Sequence, residues 1–260
     1  MTIFLIDSAV PQQPAFLYAT YPMGVTVAAL PESPGYTPAH ILQADENNGW
    51  RPLNTVGAHA LICTYPTPVQ FDYFALVGKS IDGVLVEVRG SSDGFNASDV
   101  QLSPPAPLSG AIAAWRAVPT AIYNSIKYIF SNFSVDFQIK HIAAGILSPL
   151  PFLEDGFCTA PLQAEGSHLI SHAGQFLGSV TDRVMRPFSL SFGQVDPVEE
   201  ALFSAMVKAC VQTAKGLFFV RDISLPDVSF GWIDKNYKYE PKMQLGLYNI
   251  PTFPFTSRAS

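Results

Sequence analysis

Proline stands at 22 of the 260 positions, and its placement limits what this chain can fold into. A proline has no N–H and clashes with the preceding turn, so it is excluded from helix interiors and from central strands. Pro11, Pro14, Pro22, Pro31 and Pro34 divide the first 35 residues, leaving room for a short strand such as Val25–Ala28 but for no long helix. Pro104, Pro105, Pro107 and Pro119 punctuate a Pro/Ala/Ser stretch, 103–121, which reads as a long irregular insert. Pro149, Pro151 and Pro161 fall in 148–166, the expected domain boundary. The chain therefore reads as two β-rich modules, 1–150 and 151–260.

Elsewhere the hydropathy alternates with period two, the mark of half-buried strands. Phe71–Val77, closed by Gly78, and Val84–Val88, closed by Arg89-Gly90, also read as strands. Ser125–Phe130 alternates, and so does Phe133–Ile142, where Phe133, Val135, Phe137 and Ile139 share one face. Ser131-Asn132 between them fits a two-residue hairpin junction. Phe188–Gly193, Leu217–Val220, 229–237 and 242–250 supply further strands, and 251–260 reads as a Pro/Phe/Ser-rich tail. One helix is expected, over 197–214. Asp196 is its N-cap, Pro197 its first residue, and Glu199 completes a capping box. Val198, Ala201, Leu202, Ala205, Met206 and Ala209 form its apolar stripe.

Charged residues make up 14% of the chain and hydrophobic residues 48%, with a formal net charge of −6. An average soluble domain carries about 25% charge. High apolar content and modest net charge argue against disorder. The acidic balance argues against a nucleic-acid partner, which needs a basic face. So few charges on a large surface imply that uncharged surface faces another protein chain. Cys63, Cys158 and Cys210 are odd in number and lack CxxC spacing, so buried free thiols in a reducing cytosol are expected, with neither disulfides nor zinc. The N-terminal apolar run stops at Asp7 with no basic residue before it, so no signal peptide is expected, and no run of about 18 apolar residues calls for a membrane span.

No catalytic signature stands out. His168 and His172 have the spacing of a zinc pair, but the glutamate of a metalloprotease helix is absent and glycines bracket the segment. Neither Cys63 nor Cys158 has a local activating group. Asp93 and Asp99, in one Ser/Asp/Gly/Asn loop, read as solvated turn residues before they read as calcium ligands. Glu199-Glu200 suits the helix dipole. The candidate ligand or interface aromatics are Trp50, Tyr65 and Trp115, with Tyr123 and Trp232 as further stacking platforms. No cofactor and no metal is expected.

Tyr36-Thr37-Pro38-Ala39-His40-Ile41-Leu42, followed by Asp45 and Trp50-Arg51, resembles the early part of a discoidin-like (galactose-binding-like) jelly roll. Ala58–Ile62 and Phe71–Gly78 look like that family's two central strands, and 133–142 closing on Gly145 is similar to its last strand. In the second half, Arg183–Phe192, the 197–214 helix and Leu217-Phe218-Phe219-Val220-Arg221-Asp222 resemble the C-terminal module of tailed-bacteriophage tail-tip proteins. The resemblance implies a mainly β fold: a discoidin-like β-sandwich, then a smaller β-rich α+β domain with one amphipathic helix. It implies a non-enzymatic structural component of a tail tip or baseplate, in the virion tail and assembled in the host cytoplasm. Its partners would be other tail proteins and copies of itself in a ring, with 103–121 and 148–166 as contact arms. The alternative is a carbohydrate-binding module for host-surface attachment, with a glycan as partner. Neither reading inserts the chain into a membrane.

Overall fold

The computed structural model of the chain describes residues 15–18, 25–29, 33–42, 49–145, 148–149, 163–170, 176–213, 216–220, 228–234 and 236–258. The fold is mainly β, with one α-helix among the described residues. It divides into two compact units, Met1–Leu150 with Lys215–Val228, and Pro151–Ala214 with Ser229–Ser260. The cut after Leu150 lies in the proline-rich boundary. The return of 215–228 to the first unit departs from a single division at 150/151.

The first unit holds β1 (Ala15–Tyr18), β2 (Thr26–Ala29), a 3-10 turn (Pro38–Leu42), β3 (His59–Lys79), β4 (Leu85–Ser91), β5 (Val100–Pro107), β6 (Ile112–Ser131), β7 (Gln138–Gly145) and β8 (Ser148–Pro149). Strands β3 and β6 are long because each serves twice. Up to Thr64, β3 pairs with β2 and with the far end of β6; from Val69 on, it pairs with the near end of β6 and with β7. The β3–β6 ladder is interrupted between Thr64 and Val69 and again after Phe71. Pro66 and Pro68 fall in the first gap and Pro119 beside the second, where a missing N–H costs no ladder bond.

At these gaps the sheet folds over on itself. Phe74 sits opposite Trp115 in the ladder, and Tyr128 opposite Leu61. Along a straight β6, those places would be about 43 Å apart, at about 3.3 Å per residue. The Phe74 and Tyr128 rings nevertheless meet edge to face at 5.9 Å. Two layers therefore enclose a common core that includes Trp50, Leu61, Phe71, Phe74, Tyr128, Phe130 and Phe137, a β-sandwich. The β7 side of the second layer is covered by β11 (Leu217–Val220), which pairs with β1 and stacks Phe218 on His141 at 6.2 Å.

Two expectations are corrected here. The 103–121 stretch is no loose arm: it contains most of β5 and the start of β6. Pro104, Pro105 and Pro107 are tolerated because β5 is an edge strand, last in the order β2-β3-β6-β4-β5. Nor is 133–142 one strand hairpinned to β6. Asn132 is left-handed at φ 60, the Phe137 N–H bonds the Ser134 carbonyl at 3.1 Å, and the chain turns before β7 begins at Gln138. Phe133 and Phe137 are both buried because this turn stacks them at 4.9 Å, while Val135 between them is exposed.

The second unit holds β9 (Gln163–Ile170), β10 (Phe176–Val195), α1 (Pro197–Thr213), β12 (Val228–Ile233), β13 (Lys242–Gln244) and β14 (Leu247–Arg258). Antiparallel pairs run β9–β10, β10–β14 and β12–β14, and β13 turns back on β14. The expected tail is thus the body of β14, with Pro254 opposite Ser189. The capping box at α1 is formed. Asp196 Oδ1 accepts from the N–H groups of Val198 (2.7 Å) and Glu199 (2.8 Å), and Glu199 Oε2 accepts from the Asp196 N–H at 3.3 Å. Asp196→Ala should cost about 1 kcal/mol in chemical denaturation of the full chain. The buried stripe of α1 differs from the expected one: it is Phe203, Met206, Val207 and Cys210, at helical i, i+3, i+4, i+7 spacing. Val198, Ala201, Leu202 and Ala205 are exposed. Burying a phenylalanine and a valine removes more apolar area than burying alanines, so the bulkier stripe turns inward. No helix among the described residues is long and apolar enough to cross a membrane.

Candidate functional site

Strand β4 alternates cleanly. Val86 and Val88 enter the core, which puts Glu87 and Arg89 on the opposite, outward face. Arg89 is opposite Gln101 on β5 and opposite Lys127 on β6. The ladder therefore lines up Gln101, Arg89 and Lys127 across three neighbouring strands. Arg89 is the hub, with Nη1 donating to Glu87 Oε1 at 2.7 Å and Nε donating to Asp99 Oδ1 at 2.5 Å. Gln101 Nε2 donates to the same Glu87 oxygen at 2.9 Å, and Lys127 Nζ reaches Asp99 Oδ2 at 3.3 Å. Among the described residues, Nη2 of Arg89 has no partner, which leaves guanidinium donors for a ligand.

The loop from β4 to β5 is built around one buried hydroxyl and one carboxylate. Ser91 Oγ, fully buried, donates to Asp93 Oδ1 at 2.8 Å and accepts from the N–H groups of Asp93 (3.1 Å) and Phe95 (2.7 Å). The Asp93 carboxylate accepts in turn from the N–H groups of Asn96, Ala97 and Ser98. The resulting turn is tight enough to force Gly94 to φ 74 and Phe95 to φ 69. A bulky side chain in the left-handed region is a true outlier, held there only because its surroundings over-determine it. Phe95 is thereby fixed, half-buried, with Lys127 Nζ 4.1 Å above its ring.

The electrostatics follow from these contacts. The Ser91 hydroxyl, with the loop amides behind it, holds the Asp93 carboxyl below the ordinary aspartate range. Partial burial works against the charge on Asp99, but hydrogen bonds from Arg89 and Lys127 outweigh it and lower that pKa as well. Both carboxylates are therefore ionised, and each is engaged by protein donors. Among the described residues, no three His, Cys, Asp or Glu side chains cluster for a metal.

The aromatics expected to stack on a ligand are elsewhere. Trp50 is 0% exposed, with its ring 5.9 Å from Phe130 and 6.1 Å from Phe137. Tyr65 is buried against Phe71 at 5.1 Å, and Tyr123 is buried too. In this fold Trp50 and Tyr65 present no ring face to a ligand, because the core takes the largest apolar side chains first. Trp115 lies on β6 opposite Phe74, Trp232 on β12 is half-buried, and their backbones do not join the Arg89 row. His168 is on strand β9, opposite Ser179, which removes the helical zinc pair; His172 and Cys158 lie outside the described residues, as does most of 148–166. Burial pushes the Cys63 thiol up to about 12, so it is inert, and Cys210 is buried as well. Sequence reading passed over Arg89, Glu87, Gln101, Lys127 and Phe95. The alternation of β4 and of 125–130 was the signal that placed three of them outward.

No protein-family model matches the chain, and no curated protein matches it. Among solved structures, similarity is found to CpGH89CBM32-6 from Clostridium perfringens, with 12% identity over 47% of this chain and 94% of that one and a TM-score of 0.41. The family 32 carbohydrate-binding module of C. perfringens NanJ, in complex with galactose, is similar at 11% identity over 50% and 98%, with a TM-score of 0.41. A pectin-binding carbohydrate-binding module is similar at 18% identity over 46% and 89%, with a TM-score of 0.40. These are likenesses of backbone, and no residue role is carried over from them.

Proposed function

We propose that the first unit is a carbohydrate-binding module whose sugar site is the outward face of β4, β5 and β6 beside loop 92–99. The observation that carries this reading is the Arg89 hub, fixed between Glu87 and Asp99 in a row with Gln101 and Lys127. A sugar ring offers neutral hydroxyls, each both donor and acceptor, around an apolar face. The row supplies guanidinium, ammonium, carboxylate and carboxamide groups already held in place, and charge-assisted hydrogen bonds are roughly twice as strong as neutral ones. Phe95, locked beside Lys127, offers an apolar contact at the edge. Two cations stand beside two anions, so a neutral sugar suits the site better than an acidic one. This is binding chemistry: a glycosidase needs a carboxylic acid with a raised pKa, whereas Asp93 and Asp99 are lowered.

Calorimetric titration with neutral mono- and disaccharides tests the reading. One saturable site is expected, weakened by roughly 10- to 100-fold in Arg89→Met through the lost charged hydrogen bonds. Thermal stability should hardly move, because partly exposed ion pairs contribute about 0–1 kcal/mol. A folded chain that gives no signal across a glycan array removes the proposal. A place in a virion tail tip, beside other tail proteins, is a separate reading. It rests on the order of the second-half motifs and on one exposed apolar hairpin in the second unit.

A further inference from the structure

The turn between β13 and β14 uses residues that suit such a turn poorly in water. Gln244 pairs with Leu247, so Leu245-Gly246 is a two-residue loop with φ of 53° and 82°. Such a turn favours Asn-Gly or Asp-Gly, because only small or self-bonding residues accept the left-handed region cheaply. Here a leucine takes the strained position and is 97% exposed, flanked by Met243 at 66% and Leu247 at 37%. Strain and exposed apolar area coincide at one protruding tip, whose single charge is Lys242.

The same unit carries a hollow of about 450 Å³ between α1 and the segment before β13. Val207, Val211, Tyr237, Tyr239 and Pro241 give it an apolar lining, and Glu200 and Lys208 stand on its α1 side about 12 Å apart along the helix. The Tyr239 hydroxyl is shielded there, close to the Glu200 carboxylate but without a well-aligned hydrogen bond. The hairpin cannot fill its own hollow. Leu245 is four residues beyond Pro241, and the β13–β14 pairing holds that stretch extended, about 13 Å away.

We propose that the Leu245 hairpin of one copy seats in this hollow of a second copy, with Lys242 beside Glu200. Knob and hole differ, so the contact is heterologous and head to tail, and repeats into a ring or a filament. The proposal is independent of the sugar site, which lies in the other unit.

Sedimentation equilibrium of the full chain at roughly 100 µM, where a micromolar contact is nearly saturated, should show species larger than the monomer. Leu245→Asn installs the residue the turn favours, so folding is kept, and association should weaken at least tenfold while sugar binding is unchanged. Ser204→Arg fills the hollow and should do the same. Mixing the two variants should restore a single contact and give a dimer, because one retains the hollow and the other the hairpin. A monomeric wild type, a Leu245→Asn variant that associates like wild type, or a monomeric wild type that binds phosphatidylcholine vesicles through Leu245 each overturns the proposal. Should Ser204→Arg misfold, the Leu245→Asn comparison still decides.

Discussion

Trp50→Ala should destabilise the chain by about 3–5 kcal/mol, the range for emptying a large aromatic site. The ring is fully buried and touches Phe130 and Phe137, which touch one another at 5.4 Å, and Phe137 stacks on Phe133. Truncation leaves a void at the centre of a four-ring cluster that rigid sheets on both sides cannot collapse. The backbone is equally committed: the Trp50 N–H donates to the Ile139 carbonyl at 2.8 Å, and the Ile139 N–H donates back at 2.9 Å. Only glycine can precede it, because a Cβ at Gly49 would lie 2.3 Å from the Ile139 oxygen. Trp50 Nε1 is buried without a hydrogen-bond partner, so Trp50→Phe removes an unsatisfied group as well as volume. It should therefore cost less than about 1.5 kcal/mol. Urea denaturation of both variants checks the pair. A Trp50→Ala protein with a wild-type midpoint and lost sugar affinity would return Trp50 to the surface as a ligand platform.

Local pattern made some of this fold legible and not the rest. Helix α1 and its cap were readable because Asp196, Pro197 and Glu199 act within one turn of chain. Which of two apolar stripes faces inward was not legible from period, because both have helical spacing and share Met206; the larger apolar area of Phe203 and Val207 decides it. The alternation of 133–139 misled for a related reason: Phe133 and Phe137 are also four apart, so a tight turn buries both as well as a strand would. Strand β3 runs through Pro66 and Pro68 at the place where the sandwich turns a corner, because the ladder gap there spares their missing N–H groups. The site was hidden by register. Asp99 is ten residues from Arg89 and Lys127 is 38 from it, and only the β4–β5 and β4–β6 ladders bring the three together.

Ser91→Ala should cost roughly 10- to 100-fold in sugar affinity although Ser91, buried beneath the loop, can touch no ligand. Its Oγ satisfies the Asp93 and Phe95 N–H groups and anchors the Asp93 carboxylate. Losing a buried hydroxyl with those partners costs about 1–3 kcal/mol of loop order, and each 1.4 kcal/mol lowers the binding-competent fraction tenfold. The released loop also frees Phe95 from φ 69, so it relaxes and leaves Lys127. The acid limb of binding separates this mechanism from the loss of a direct contact. Asp93 and Asp99 have folded pKa values below the ordinary aspartate value of about 3.9, so their contribution is complete above that pH and is lost as pH falls through the lowered values. Wild-type affinity should be flat from about pH 5 to pH 8 and fall only below about pH 4. In Ser91→Ala the largest cause of the Asp93 shift is gone, so the remaining binding should fail at a higher pH than in wild type. Arg89→Met lowers affinity but leaves the Ser91–Asp93 bond intact, so it should not move the Asp93 part of that limb. An acid limb in Ser91→Ala that stays where it is in wild type would mean that Ser91 organises nothing and that the loop stands without it.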